Sequence, residues 1–281
     1  MPASAQLSSA IYALGAVCAW GISDFLGGYT ARRFNAFLLT AIGHASGLAM
    51  VVTFARANHL TFPSTHSLAW ALLAGASGGS ALSLFYRALS QGNMGLAAPV
   101  ATVIGAAIPA IFSIWTQGLP HPLAIVGFAL ALLGIWLISR PEDSEKPKGL
   151  GLAFISGIGF AGFYICMRQA GSGEAPWLAA ASRSASLIVT LAIVLLSKNF
   201  RPVFPAGFAV GALAGCLDVT GTIMFVRASQ TGRLDTAVVL TSLYPVITVL
   251  LARVFLKEQF TRWKTAGMAA ALAAVPMIAR G

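Results

Sequence analysis

The chain has 281 residues, of which 57% are apolar and 9% charged, with a mean hydropathy of +0.81. A water-soluble domain carries about 25% charged residues, so this composition excludes a soluble enzyme or a disordered chain and leaves a polytopic membrane protein. The net charge of +10 does not mark a nucleic-acid binder, because the cations fall in ones and twos between apolar runs instead of clustering on one face.

Crossing a bilayer takes about 20 mostly apolar residues. Ten runs meet that need, at roughly 8–29, 35–55, 67–90, 94–116, 121–139, 149–170, 176–196, 205–230, 235–256 and 262–279. Residues 1–10 carry no Lys or Arg, so the first run is read as a retained span and not as a cleaved leader. It holds Trp20 and Asp24. The second run holds His44, and the third ends on Tyr86 and Arg87 before the break at Gln91-Gly92-Asn93. In the fourth, Pro99 and Pro109 remove hydrogen bonds to the carbonyls of Gly95 and Gly105. After the fifth comes the one strongly charged connector, Arg140 to Lys148. The expected organisation is therefore an N-terminal unit over 1–140, a charged linker over 141–148 and a C-terminal unit over 149–281. In the second unit the sixth span carries Tyr164, the seventh Arg183 and the eighth Asp218. The ninth carries Thr241, Ser242 and Tyr244 just ahead of Pro245, which frees the Thr241 carbonyl. Cys18, Cys166 and Cys216 lie inside apolar runs without metal-ligand spacing and read as small buried hydrophobes.

The two units match one another. A gapless offset of 140 residues superposes Leu73-Ala74-Gly75 on Leu213-Ala214-Gly215, and Phe85, Arg87, Ala88 and Gly92 on Phe225, Arg227, Ala228 and Gly232. An offset of 139 pairs His44 with Arg183. Five spans is an odd number, so the second copy enters the membrane from the opposite side. The expected fold is all-α, with ten transmembrane helices as two inverted five-helix repeats, an architecture that recurs in secondary transporters.

Charge at membrane depth costs at least about 2.5–3.5 kcal/mol per residue and calls for an explanation. Of the eight acidic residues, Asp24 and Asp218 sit well within apolar runs. Each is either a proton-coupling or cation-binding carboxylate, or a fixed counter-ion for an arginine. His44 is either a hydrogen-bonded interface residue or a proton relay. Trp20, Phe25, Phe85, Tyr86, Phe163 and Tyr164 are candidates to line a cavity, with Thr102, Thr241, Ser242 and Tyr244 adding hydroxyls. Gly105 aligns with Pro245, so helix weakening is expected at one depth in both halves, the best sequence pointer to a transporter's site. Gly75-x-x-x-Gly79 and Gly211-x-x-x-Gly215 permit close helix approach.

No metal-ligand spacing, cofactor motif, phosphate-binding loop or nucleophile elbow is present in the sequence. The expected partners are a small-molecule substrate, protons and the lipid bilayer, with the chain a monomer or homodimer. An uncoupled facilitator or a membrane scaffold is the competing reading, and an intramembrane enzyme is disfavoured because His44 has no evident nucleophile beside it.

Trp20-Gly21, the stretch Tyr86-Arg87-Ala88-Leu89, and Tyr244-Pro245-Val246-Ile247 followed by Leu256-Lys257-Glu258-Gln259-Phe260-Thr261 and Gly267 resemble EamA-type members of the drug/metabolite transporter superfamily. The likeness spans the whole chain and is stronger in the C-terminal unit; in the N-terminal unit Gly118 stands where the pattern has Glu258. The resemblance implies a bundle exporting metabolites or drugs across the cytoplasmic membrane. It also implies a central cavity lined by helices 1, 3, 4, 6, 8 and 9, with helices 5 and 10 peripheral and both termini cytoplasmic. Charge counting points the other way for the termini. With Arg183 and Arg253 set aside, the odd connectors hold 11 Lys/Arg, against 5 in the even connectors and the C-terminus.

Overall fold

In the computed structural model, residues 3–31, 34–90, 94–138, 150–197, 205–256 and 261–280 are described, without the side chains of 86–90, 94–99 and a few helix-terminal positions. The charged linker 141–148, the Lys257–Phe260 stretch and the side chains of Tyr86, Arg87 and Pro99 lie outside the described residues.

Among the described residues every element is helical: α1 (Ala3–Ala31), α2 (Ala36–Ala57), α3 (Thr65–Ser90), α4 (Met94–Gln117), α5 (Pro122–Ile138), α6 (Leu150–Gln169), α7 (Ala175–Ser197), α8 (Pro205–Thr231), α9 (Leu234–Thr241), α10 (Tyr244–Leu256) and α11 (Arg262–Arg280). In hydrocarbon a backbone must satisfy its own polar groups, which a helix does within one segment. With α9 and α10 taken together, eight of these segments are long and apolar enough to cross a bilayer, and α5 is a shorter apolar helix. Local chemistry sets the ends. The Asn35 side chain accepts from the Phe37 and Leu38 amides at 3.0 and 3.2 Å to cap α2. Gly118 and Gly171, at φ +80° and +74°, stop α4 and α6 in a conformation that side chains disfavour.

Serine hydroxyls set how the helices register. Ser9 and Ser23 of α1 donate to the Ala228 and Ala214 carbonyls of α8, each at 2.8 Å. Ser77 and Ser156 tie α3 to α6 through the Gly159 and Ala81 carbonyls, also at 2.8 Å. In both pairs one residue number rises as the other falls, so the helices run antiparallel. Ser46 donates to the Ala212 carbonyl at 2.9 Å, tying α2 to α8, and Ser186 to the Gly75 carbonyl at 2.9 Å, tying α7 to α3. Along these two contacts the numbers rise together: Gly43 and Gly47 approach the backbone near Gly215, while Gly75 and Gly79 approach Ser182 and Ser186. Those two pairs run parallel.

Packing recurs when the two halves are exchanged. Gly75 lies against the backbone of Ser182, and Gly215, its counterpart 140 residues on, lies against Gly43, the counterpart of Ser182 at an offset of 139. A Cβ on Gly127 would strike Met277 and Ile278, and one on Gly267 would strike Leu137 and Ile138, again 140 residues apart. The latter contacts pack α5 antiparallel against α11, away from the centre. Cys18, expected to be buried, is exposed because it lies on the outward face of α1, while Cys166 and Cys216 are half-buried.

At Gly215 the contacted atoms are backbone, which cannot swing aside. Gly215→Ala is expected to destabilise the bundle by about 1–3 kcal/mol, read as a lower unfolding midpoint in detergent. Gly151→Ala, where a Cβ meets nothing within 4 Å, is expected to stay within about 0.5 kcal/mol of the parent.

Candidate functional site: a charged cavity between the halves

A cavity of about 370 Å³ lies at the meeting of α1, α2, α3, α4, α6, α7, α8 and the α9–α10 turn. Helices 2 and 7, which the resemblance left out of the lining, contribute Thr40, Gly43 and His44 and Ser182, Arg183 and Ser186. They reach it because Gly43 and Gly75 let α2 and α7 close onto α8 and α3. From Asp24 the cavity runs along Gly27, Gly28 and Thr30 toward the C-terminal end of α1. The opposite end of the bundle is closed by Ser9, Leu234, Asp235 and Thr236, all fully buried.

The polar centre is built on Arg183, which is 8% exposed. Its Nη1 forms an ion pair with Asp218 Oδ2 and sits 3.1 Å from His44 Nδ1. Its Nη2 donates to Thr222 Oγ1 at 2.6 Å. A guanidinium offers donors only, so His44 Nδ1 accepts and the imidazole is neutral, with its proton on Nε2. Asp218 and Thr222 are one turn apart on α8, so both face α7. The Thr222 hydroxyl also donates to the Asp218 carbonyl at 3.1 Å, and that carbonyl accepts the Trp20 indole N–H at 3.0 Å. One arginine therefore ties α7 to α2 and α8, and the tryptophan adds α1.

Asp24 lines the same cavity and is exposed to it. Unlike Asp218, its carboxylate has no hydrogen bond or ion pair among the described residues. Aromatic rings form the floor. Trp20 lies 6.4 Å from Tyr164 and 6.3 Å from Tyr244 between ring centroids, above the fully buried Phe225 at 6.0 Å. Phe160 and Phe163 extend this surface along α6.

Other candidates fall elsewhere. Thr241 is buried away from the cavity and bonds its own helix, donating to the Ala237 carbonyl at 2.7 Å, while Ser242 next to it lines the wall. Pro245 is the second residue of α10, directly after the Ser242-Leu243 turn that separates it from α9. Its missing N–H leaves the chain to close that turn with short-range bonds from Leu243 N to Leu240 O and from Val246 N to Leu243 O. The α4 helix runs unbroken past both Pro99 and Pro109, so the interruption at Pro245 has no matching break in the first half. Pro109 is buried outside the lining, although Thr102 and Gly105 belong to it. Phe25 packs on Tyr29 and Phe255 instead of facing the cavity.

Sequence reasoning missed Thr222, Ser23 and Phe160, whose signals were a one-turn spacing from Asp218, adjacency to Asp24 and a 140-residue offset from Trp20. It also passed over the closed end. There Arg233 chelates the buried Asp235 and donates to the Gln117 and Gly118 carbonyls at 3.2 and 2.6 Å. Nearby, Gln6 Nε2 donates to Thr236 Oγ1 at 2.7 Å, and Arg227 pairs with Glu174 at 2.9 Å.

A bundle of apolar helices with a charged, aromatic-floored cavity between matching halves defines a membrane protein built to hold a small solute. The EamA-like transporter family matches residues 7–140 and again 147–280. The chain belongs to that family, within the drug/metabolite transporter superfamily. A solved structure described as "Crystal structure of protein" is similar in fold, with a TM-score of 0.80 at 16% identity over 96% of this chain and 96% of that one. No curated protein matches the chain in sequence.

Removing one partner of a buried ion pair leaves the other uncompensated. Arg183→Met is therefore expected to cost about 3–5 kcal/mol, read as a lower unfolding midpoint in detergent. Adding Asp218→Asn to Arg183→Met is expected to recover part of that loss. Two strictly additive losses would mean that the ion pair is not coupled.

Proposed function

We propose that the chain is a secondary active transporter that exports a small organic solute across the cytoplasmic membrane by alternating access, with protons as the coupling ion. The observation carrying this reading is the cavity itself, polar at its centre, extended toward one end of the bundle and closed at the other.

The two repeats, 1–140 and 149–281 joined by the linker 141–148, lie upside down relative to each other in this reading. The helix directions support it: α2 and α7 run antiparallel, since Arg183 meets His44 while Trp177 donates to the Leu60 carbonyl at 3.0 Å, and following the paired contacts from α1 through α8, α2, α7 and α3 to α6 leaves α1 and α6 opposed. Helices α5 and α11 then serve as the fifth and tenth spans, at the periphery. Exchange of two such halves converts a cavity open to one side into one open to the other. The closed end consists of discrete polar contacts, Arg233 with Asp235 and Gln6 with Thr236, and such contacts break and re-form as units.

Protons couple to transport where a carboxylate changes charge within reach of the solute. Asp24 is the better placed of the two, because Asp218 already neutralises Arg183. Purified protein in proteoliposomes, screened against a solute panel with and without a pH gradient, is expected to show flux that the gradient accelerates. Asp24→Asn is expected to abolish that acceleration. Flux indifferent to the gradient in the parent would make the protein an uncoupled facilitator, and an absence of flux for every solute would favour a scaffold.

A further inference from the structure

The charged groups of the cavity do not balance, and the imbalance selects a ligand. Arg183 and Asp218 cancel as a pair, and His44 accepts a hydrogen bond from Arg183 and is neutral. An ionised Asp24 leaves the described lining with one negative charge. Arg183 is already neutralised: three of its five N–H donors go to Asp218, His44 and Thr222, and its Nε is buried without a partner. A carboxylate or phosphate entering this cavity would meet an unpaired anion and, among the described lining residues, a single cation already paired with Asp218.

The two walls also differ, and the internal repeat shows how. The counterparts of Asp24 and Asp218 at an offset of 140 are Tyr164 and Gly78, and the counterpart of Trp20 is Phe160; all six positions line the cavity. The wall built by α1 and α8 is therefore acidic. The wall built by α3 and α6 is apolar, with Phe85, Phe160 and Phe163. At Gly78 no side chain intrudes, and the neighbouring atoms are those of the Phe163 ring. Trp20 stands one helical turn from Asp24 on α1, so an indole and a carboxylate share one face. An aromatic ring beside an anion attracts a positive centre from two directions.

We infer that the cavity binds organic cations, namely small amines or quaternary ammonium compounds that carry an apolar or aromatic group. The positive centre sits at the Asp24 carboxylate near Trp20, and the apolar group lies against the Phe160 and Phe163 wall. At about 370 Å³ the cavity falls within the range of small-molecule sites. The ligand's charge compensates an intramembrane carboxylate that nothing else among the described residues pairs. This assignment rests on the transporter reading only for its physiological use, because binding alone needs no movement.

Equilibrium binding to the purified protein in nanodiscs tests it. Three probes of similar size are compared: benzyltrimethylammonium, phenylacetate and benzyl alcohol. The cation is expected to bind at least about tenfold more tightly than the other two. Asp24→Asn is expected to weaken cation binding by about tenfold or more at an unchanged unfolding midpoint, with Asp24→Glu retaining most of the affinity. Phenylacetate binding as well as the cation to the parent protein would overturn the assignment without need of any variant, and so would cation binding indifferent to Asp24→Asn. The outcomes separate the two proposals. A cation that binds but is never carried across proteoliposomes upholds the site and contradicts the transporter. Gradient-driven flux of an anionic or neutral solute with no cation binding contradicts the site and leaves the transporter standing.

Discussion

The Arg183 guanidinium, desolvated at the centre of the bundle, is the interaction on which the rest depends. A cation at this depth is tolerable only with a counter-ion and acceptors for its donors, and it takes these from two other helices: Asp218 and Thr222 on α8, and His44 on α2. His44 is also its own counterpart, 139 residues away in the repeat. Where two halves are related by exchange, positions on the axis meet their equivalents, so this contact marks the middle of the molecule. The cavity opens beside it, lined by Gly78 and Gly79 on one side and by Gly211 and Gly215 on the other.

Close packing and polar function are coupled here through small residues. Lipid supplies little hydrophobic drive between helices, so backbone approach and interhelical hydrogen bonds hold the bundle. Gly43 against Gly215 and Gly75 against Ser182 bring α2 and α7 near enough for serine hydroxyls to reach carbonyls across the interface. That proximity sets His44 and Arg183 within bonding distance. A looser interface would hold Arg183 short of Asp218 and leave both charges in a low-dielectric interior, so stability and site geometry rest on the same glycines.

Much of the architecture was legible in the sequence because bilayer physics leaves few options. Apolar runs of about 20 residues mark helices, and a repeat with a conserved offset announces matching halves. The offset that pairs His44 with Arg183 is visible in the sequence alone, and so are the two carboxylates lying in apolar runs. What was not legible depended on side-chain direction. Thr222 is one hydroxyl among many until α8 turns it toward α7. Thr241 looked equivalent to Ser242 but bonds its own helix. Proline predicted weakness equally in α4 and the ninth span, yet α4 stays continuous while the chain breaks at Ser242-Leu243, since a single missing hydrogen bond decides nothing without its packing. Asp235, at a span end and outside the two acids the sequence singles out, is fully buried at the closed end and ion-paired with Arg233.

Reciprocal accessibility of the two ends tests the alternating cavity most directly. In a background with Cys18, Cys166 and Cys216 replaced by serine, a single cysteine is placed either at Gly28, exposed on the open stretch of the cavity, or at Thr236, buried in the closed end. Labelling with a membrane-impermeant thiol reagent, with and without a transported solute, is expected to show position 236 gaining reactivity under the conditions in which position 28 loses it. A cysteine at 28 that always reacts beside one at 236 that never does would mean a static vestibule, and the account would not stand.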